Sequence, residues 1–324
     1  MGNFNDHPVK KVIRERWCKP LIKHLSEHLG CKLTYLGLPG LEAIDVLSWL
    51  EYINKVIAFD VGDYSGLYNE EKAKENINHL SKILSRLERQ GNIDTYSLYH
   101  GYIEEVVLRG IDRAATEFKQ YGEVTIYNLD FCNTLTAPLK LTDPHTGEVF
   151  TYYKTDVIRH LLELQRFQAT TLKKSKFIFY ITVHSQFWES ESENLFVGDK
   201  KEFYNNYRRS LEKLDKQNRN IRLLRLFMIE ALKNQFCSHQ FIPEFLPTLY
   251  YKGVGNNWLL CFTVIGTYFK NPAGLAPFNQ EVNRLINEKF IQPTDDGVEW
   301  LVQENVKEKN CILDPVVAIQ SLKT

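Results

Sequence analysis

What this 324-residue chain lacks narrows the field first. Its six cysteines (Cys18, Cys31, Cys132, Cys237, Cys261 and Cys311) form no C-x-x-C pair. That argues against a structural zinc site, so no metal is expected, and for a reduced, cytoplasmic setting. An excess of either charge is missing as well. The 40 Lys and Arg balance 40 Asp and Glu, so the chain is no polycation that would coat nucleic acid with its whole surface. Long apolar runs are absent. The most apolar stretch, Trp258–Phe269, is too short to span a bilayer, and the polar start through Pro8 has no signal-peptide core. Asp6 stands where a myristoylation motif would want Ser or Thr. No membrane partner is expected, and no repeats, heptads or low-complexity tracts occur.

What is present reads as an ordinary globular protein, 44% hydrophobic and 25% charged. The length suits one large core, or one domain with an appendage. Apolar spacing predicts helices over 8–29, 41–53, 70–89, 103–119 and 156–172, and a largely helical stretch over 199–236. Between them lie strand-like runs at 32–38, 56–60, 94–99, 124–131 and 176–183. Near the end of this alternation, Phe245–Tyr251 and Trp258–Phe269 flank Gly253-Val254-Gly255-Asn256-Asn257. Residues that tolerate positive φ, set between two apolar runs, predict a β-hairpin. A second, smaller hairpin is expected near 138–153, around Asp143-Pro144-His145-Thr146-Gly147. Strands alternating with helices imply a three-layer α/β sandwich, a mostly parallel seven-stranded sheet ending in an antiparallel hairpin.

In such sheets ligands bind beyond the carboxyl ends of the strands. The turn after the first strand, Gly37-Leu38-Pro39-Gly40, would let backbone approach an adenosyl or nucleotide group. Asp60 ends the second strand, spaced from Gly37 as a ribose-binding acid would be; the alternative is an acid capping its own turn. Tyr102, after the third strand, either packs on a purine or covers the sheet edge. Asn128 and Asp130 are polar side chains at the end of an apolar strand, costly unless hydrogen-bonded or facing a cleft. Cys132 follows them as a nucleophile or an inert thiol, and His184 ends the fifth strand as a base or a structural histidine.

With these residues in hand, the chain over roughly 31–270 resembles the class I S-adenosylmethionine-dependent methyltransferases. That resemblance implies a seventh strand inserted antiparallel between the fifth and sixth, with Phe245–Tyr251 and Trp258–Phe269 in those roles. It implies S-adenosylmethionine as cofactor, held by Gly37, Pro39, Gly40, Asp60 and Tyr102. The family's fourth-strand motif for amino-group methylation is echoed at its ends by Asn128-Leu129-Asp130-Phe131, which makes Asn128, Asp130 and Phe131 the catalytic candidates. The family's acid at the start of the glycine motif is replaced by Tyr35, and its acid after the third strand is missing. The cofactor motif is therefore divergent.

The substrate expectation comes from charge. Between 199 and 236, basic residues outnumber acidic ones and Phe203, Tyr204 and Tyr207 are interleaved, the combination that neutralises phosphates and stacks on bases. Arg208, Arg209, Lys213 and Lys216 are the nucleic-acid-binding candidates, and Lys10 and Arg14 of the first helix count in the same basic set. A solvated surface is the competing meaning. The expected organisation is an N-terminal helical segment (1–30), a methyltransferase-like Rossmann domain (31–270) and a C-terminal appendage (271–324) that could dock a protein partner. Two functions follow: an N-methyltransferase acting on a nucleic-acid amino group, or an inactive methyltransferase-like subunit that binds nucleic acid or a protein.

Overall fold

The computed structural model describes residues 7–63, 69–120, 122–131, 133–135, 137–142, 147–172, 175–186, 196, 198–253, 257–270, 286, 290–293, 298–301 and 307–309. Helix α1 (Pro8–Ile13) starts on a proline, widens into a π-helical turn at Arg14–Cys18, and continues as α2 (Lys19–Leu29) until Gly30 stops it at φ 66°. Strand β1 (Leu33–Gly37), helix α3 (Ile44–Trp49), strand β2 (Ile53–Asp60), helix α4 (Glu70–Arg89), strand β3 (Thr95–His100) and helix α5 (Ile103–Arg109) follow. Then come β4 (Ile126–Asp130), the hairpin β5 (Leu139–Thr142) and β6 (Val149–Tyr152), α6 (Lys154–Leu172) and β7 (Lys176–His184). Helices α7 (Asp199–Ser210) and α8 (Lys216–Ser238) lead to β8 (Phe241–Phe245), β9 (Leu249–Lys252) and β10 (Trp258–Tyr268). Three further strands, β11 (Phe290–Pro293), β12 (Val298–Leu301) and β13 (Lys307–Lys309), complete the described elements.

Strands β3, β2, β1, β4 and β7 run parallel in that order, β10 lies antiparallel beside β7, and β8 and β9 both pair antiparallel with β10. With β8 and β9 as one interrupted sixth strand, this is the order the resemblance implies: the seventh strand lies between the fifth and the sixth. The fold is that of a class I methyltransferase. The strand count differs from the seven expected. Among the described residues the main sheet has eleven strands, because the sixth is broken at Leu246–Thr248 and β11 joins β9, carrying β12 and β13 with it.

Two predicted helices are shorter than their apolar spacing suggests. The 41–53 segment keeps only α3, since Ala43 sits at φ 49° ahead of it and β2 begins at Ile53. The 103–119 segment stops at Gly110, φ 73°. Beyond it the buried Asp112 carboxylate accepts the backbone N–H groups of His100, Ala114 and Thr116 and folds a turn instead. The hydrophobic core is split by the sheet. One half packs Tyr127, Phe177, Phe179 and Phe236 under α5–α8, and the other packs Trp17, Tyr35, Trp49 and Tyr180 under α1–α4. Helix α4 turns Ala73, Leu80, Leu84 and Leu87 inward and is capped by Asn69, whose side chain accepts the Lys72 N–H.

Candidate active site

The carboxyl edge of the parallel strands carries the candidate residues in two groups. The first surrounds β1, β2 and β3. Gly37 is buried against β4, where a Cβ would overlap the Asn128 carbonyl oxygen; strand packing by itself requires glycine there. Pro39 and Gly40 are buried in the turn into α3, with Gly40 at φ 67°. Asp60 is buried, and its Oδ1 accepts the Gly62 N–H at 2.6 Å. Tyr102 is half-buried just before α5, with the Arg113 guanidinium 5.3 Å from its ring centre. Glu105 holds that guanidinium at 3.0 Å and Arg109 at 3.1 Å.

The second group surrounds the end of β4. The Asn128 amide donates to Asp45 Oδ2 at 2.8 Å and to the Tyr35 hydroxyl at 3.4 Å. The Lys10 ammonium meets Asp130 Oδ2 at 2.5 Å, and Arg14 Nε meets Asp45 Oδ1 at 2.5 Å. Both cations come from the N-terminal helix, which the Trp17 indole ties to Thr263 Oγ1 (2.9 Å) and the Tyr180 hydroxyl ties to the Cys18 carbonyl (3.3 Å). Trp49 Nε1 lies 3.5 Å from the Arg14 carbonyl, where the π-turn begins. Between that helix and the strand ends lies a pocket of about 50 Å³, bounded by Lys10, Arg14, Asp45, Asn128 and Asp130 and floored by Trp49, Tyr180, Tyr251, Cys18 and Cys261. Burial pushes the Cys18 thiol well up and the Cys261 thiol up to about 12, so neither is a ready nucleophile. Cys132 lies outside the described residues.

Phe131 is buried, its ring 5.8 Å from the Lys154 ammonium. Lys154 also donates to the Ala137 carbonyl and stands 3.7 Å from Glu104, whose carboxyl burial pushes up. His184 ends β7 beside this group. Burial lowers its pKa and Lys154 lowers it further, against the pull of Asp130. On the opposite half of the edge, His100 is lowered by burial and by Arg113. Neither imidazole is favoured as a cation at neutral pH.

Lys10 and Arg14 do not belong to an outward basic surface. Lys10 and Arg14 sit one helical turn apart, and their side chains are only 11% and 7% exposed in the two ion pairs. With Asp45 they are the site residues that sequence reasoning missed. The one available signal was their position beside the buried Val9, Ile13 and Trp17 of the helix. Arg208, Arg209, Lys213 and Lys216 are exposed. Arg208 and Arg209 lie at the end of α7, Lys213 in the turn that follows and Lys216 at the start of α8. The Gln217 side chain beside them donates to the Tyr250 hydroxyl of β9, level across β10 with Val183 near the end of β7. Since β9 runs the same way as β7, that basic turn shares the carboxyl edge with Asn128 and Asp130.

The sequence matches the PP_RS20740-like family model over residues 5–213. The chain belongs to the PP_RS20740-like family. Every polar residue bounding the pocket falls within the matched segment of this family, while its floor strands β9 and β10 fall outside. No curated protein matches the sequence. Solved structures of similar shape include the YcgJ protein from Bacillus subtilis (9% identity, 78% of this chain and 99% of that one, TM-score 0.35). Magnesium protoporphyrin IX methyltransferase from Synechocystis with bound SAH is another (9%, 82% and 88%, TM-score 0.36). An rRNA methylase from Streptococcus thermophilus is a third (12%, 77% and 94%, TM-score 0.31). The fold assignment rests on the strand order and not on these likenesses. No described helix is long and apolar enough to cross a membrane.

Proposed function

We propose that this chain is an S-adenosylmethionine-dependent N-methyltransferase acting on an amino group of a nucleic acid. The observation that carries the reading is the sharing of one sheet edge by Asp60, by Asn128 and Asp130, and by the basic turn at 208–216. The donor set suits the cofactor. A carboxylate at the end of β2 suits a ribose diol, a glycine turn follows β1, and opposite charges stand in pairs at the end of β4. Gly37, Pro39, Gly40, Asp60 and Tyr102 would hold the adenosyl end. The cofactor supplies an electrophilic methyl group; the protein's part is orientation. Asn128 and Asp130 offer acceptor oxygens to the N–H bonds of an amino group and so aim its lone pair, while Phe131 and the helix above exclude water.

Calorimetry with S-adenosylhomocysteine tests the cofactor. Binding to the wild type that weakens at least about tenfold in Asp60→Ala is expected. A folded wild type that binds neither this ligand nor S-adenosylmethionine sinks the reading. For the substrate, reversing Arg208, Arg209, Lys213 and Lys216 to Glu should weaken binding of single-stranded nucleic acid and flatten its salt dependence. Unchanged affinity would mean that the basic turn is only solvated.

A second reading has its own support. Asp60 already holds the Gly62 N–H, Asn128 holds Asp45, and Asp130 is paired with Lys10. Side chains so occupied suit a non-catalytic subunit that binds nucleic acid through the basic turn, or a protein partner through residues 271–324. Failure to bind cofactor with retention of nucleic-acid binding would select this reading.

A further inference from the structure

We infer that Arg222 and Arg225 of α8 form a stacking site for an unpaired base of single-stranded nucleic acid, and that the chain's own Ile286 and strand β11 cover it. Arg225 Nη2 donates to the Ile286 carbonyl at 2.6 Å, and the Arg225 guanidinium lies 3.9 Å from the centre of the Phe290 ring. The Arg222 guanidinium stands 5.8 Å from the same ring centre. A ring laid on a guanidinium, with an oxygen acceptor beside it, is the pair of groups that a nucleotide presents. The nucleotide adds a negative charge on its phosphate oxygens, which a peptide carbonyl lacks. Ile286 and Phe290 thus occupy the place of that ligand without its charge.

Position joins the arginine pair to the basic turn. Lys216, Arg219, Arg222 and Arg225 follow one another at every third residue of α8, so each cation neighbours the next on the helix surface. Their row winds inward from the exposed Lys216 through the half-buried Arg219 to Arg222 and Arg225, each 1% exposed. The buried Arg219 Nε has no hydrogen-bond partner among the described residues, which leaves a donor between the turn and the pair. Tyr250 links the two ends. Its hydroxyl accepts from Gln217 beside the turn, and its ring meets Phe290 edge-on at 6.2 Å. A strand bound at Arg208, Arg209, Lys213 and Lys216 would reach the pair by following that row.

Few bonds fasten the cover to the sheet. Among the described residues β11 meets β9 at one register position, Ile291 with Leu249, where the Ile291 N–H donates to the Thr248 carbonyl. Withdrawing guanidinium groups from water is unfavourable, and burial lowers the Arg222 pKa. A ligand that carries phosphate offsets this cost with its own charge, which gives it the differential affinity needed to displace the cover.

This site deepens the nucleic-acid reading proposed above and rests on it, but the two fail separately. Fluorescence anisotropy of the full chain, with short single-stranded DNA and RNA of one sequence, measures affinity, and the tighter of the two identifies the strand chemistry. Phe290→Ala removes the covering ring and should tighten binding at least about threefold, because the competent state becomes more populated. Adding Arg225→Gln should abolish that gain; Arg222→Gln takes its place if circular dichroism shows the first double variant unfolded. Amide hydrogen exchange of the unaltered chain needs no substitution: exchange at 290–293 should quicken when an oligonucleotide binds. Exchange there that stays unchanged or slows overturns the cover, as does a Phe290→Ala chain that binds no tighter than the wild type. A gain retained in the double variant overturns the stacking site. In each of these cases, binding that still depends on the basic turn leaves the nucleic-acid reading standing. A folded chain that binds neither oligonucleotide, with or without Phe290→Ala, overturns both.

Discussion

The two halves of the carboxyl edge solve the same problem by different means. Around β1–β3, polar side chains serve their own neighbourhood: Asp60 accepts an N–H two residues away, and Asp112 gathers three N–H groups within twelve residues. Around β4, polar side chains are matched across the fold: Asp130 to Lys10 and Asp45 to Arg14, with partners 120 and 31 positions away. The first half is a set of locally satisfied turns. The second is a set of long-range ion pairs that form only where the N-terminal helix is docked. Local satisfaction fixes a loop, whereas long-range pairing couples a site to the docking of an element.

That contrast can be broken from its strongest point downward. Arg14→Met should cost the most, about 3 kcal/mol, because it leaves the partly buried Asp45 carboxylate without its cation; chemical denaturation would measure it, and a cost under about 0.5 kcal/mol would show that the pair does not hold the helix. Gly37→Ala should cost about 2 kcal/mol through overlap with the Asn128 carbonyl. It should act on stability whether or not any ligand is present, which thermal melts with and without S-adenosylhomocysteine would check. Lys10→Met should cost about 1 kcal/mol, since Asp130 is a third exposed and water can replace part of the pair. On the other half, Lys72→Ala removes an ion pair to the buried Asp63 from a cation that is itself half-exposed; Asp63 keeps the Asn69 N–H, so about 0.5 kcal/mol or less is expected.

The histidines sharpen the comparison through pH. Both His100 and His184 have pKa values lowered by burial, so the unfolded chain binds protons more readily than the native one. Their contribution to stability is therefore present above the ordinary histidine pKa of about 6.5 and is lost as pH falls below it. A denaturation series between pH 7.5 and 5 should show that loss, and His100→Asn should remove its share. Lys10→Met should raise the His184 pKa, by removing a cation from the Asp130 side of the edge, and leave His100 where it was. Proton NMR of the two imidazoles would decide; equal movement of both would erase the distinction between the halves.

Much of the architecture was legible in the chain itself. Strand β7 is a continuous apolar run because it is buried on both faces, and Gly30 stops the first helix where its spacing ends. The hairpin that closes the sheet announced itself through Gly253 and its neighbours, although its first strand begins earlier, at Phe241. Helical spacing failed at 103–119, where the Asp112 carboxylate outcompeted the helix for backbone N–H groups. The candidate site was half legible. Asp60, Asn128 and Asp130 could be found because polar residues at strand ends are conspicuous. Lys10, Arg14 and Asp45 could not, since a cation on a helix looks the same whether it faces water or a carboxylate.

The sequence by itself determined the alternation of strands and helices, the antiparallel close of the sheet and the strand ends where polar groups gather. Those follow from local periodicity and from residues such as glycine and proline whose backbone limits are intrinsic. Only the tertiary structure decided which charges meet. Pairing of Arg14 with Asp45 and of Lys10 with Asp130 depends on where the N-terminal helix docks, and that docking is set by Trp17, Trp49 and Tyr180 packing together in the core. Burial then makes the two ion pairs depend on the docking of that helix, because charge withdrawn from water must find its match nearby.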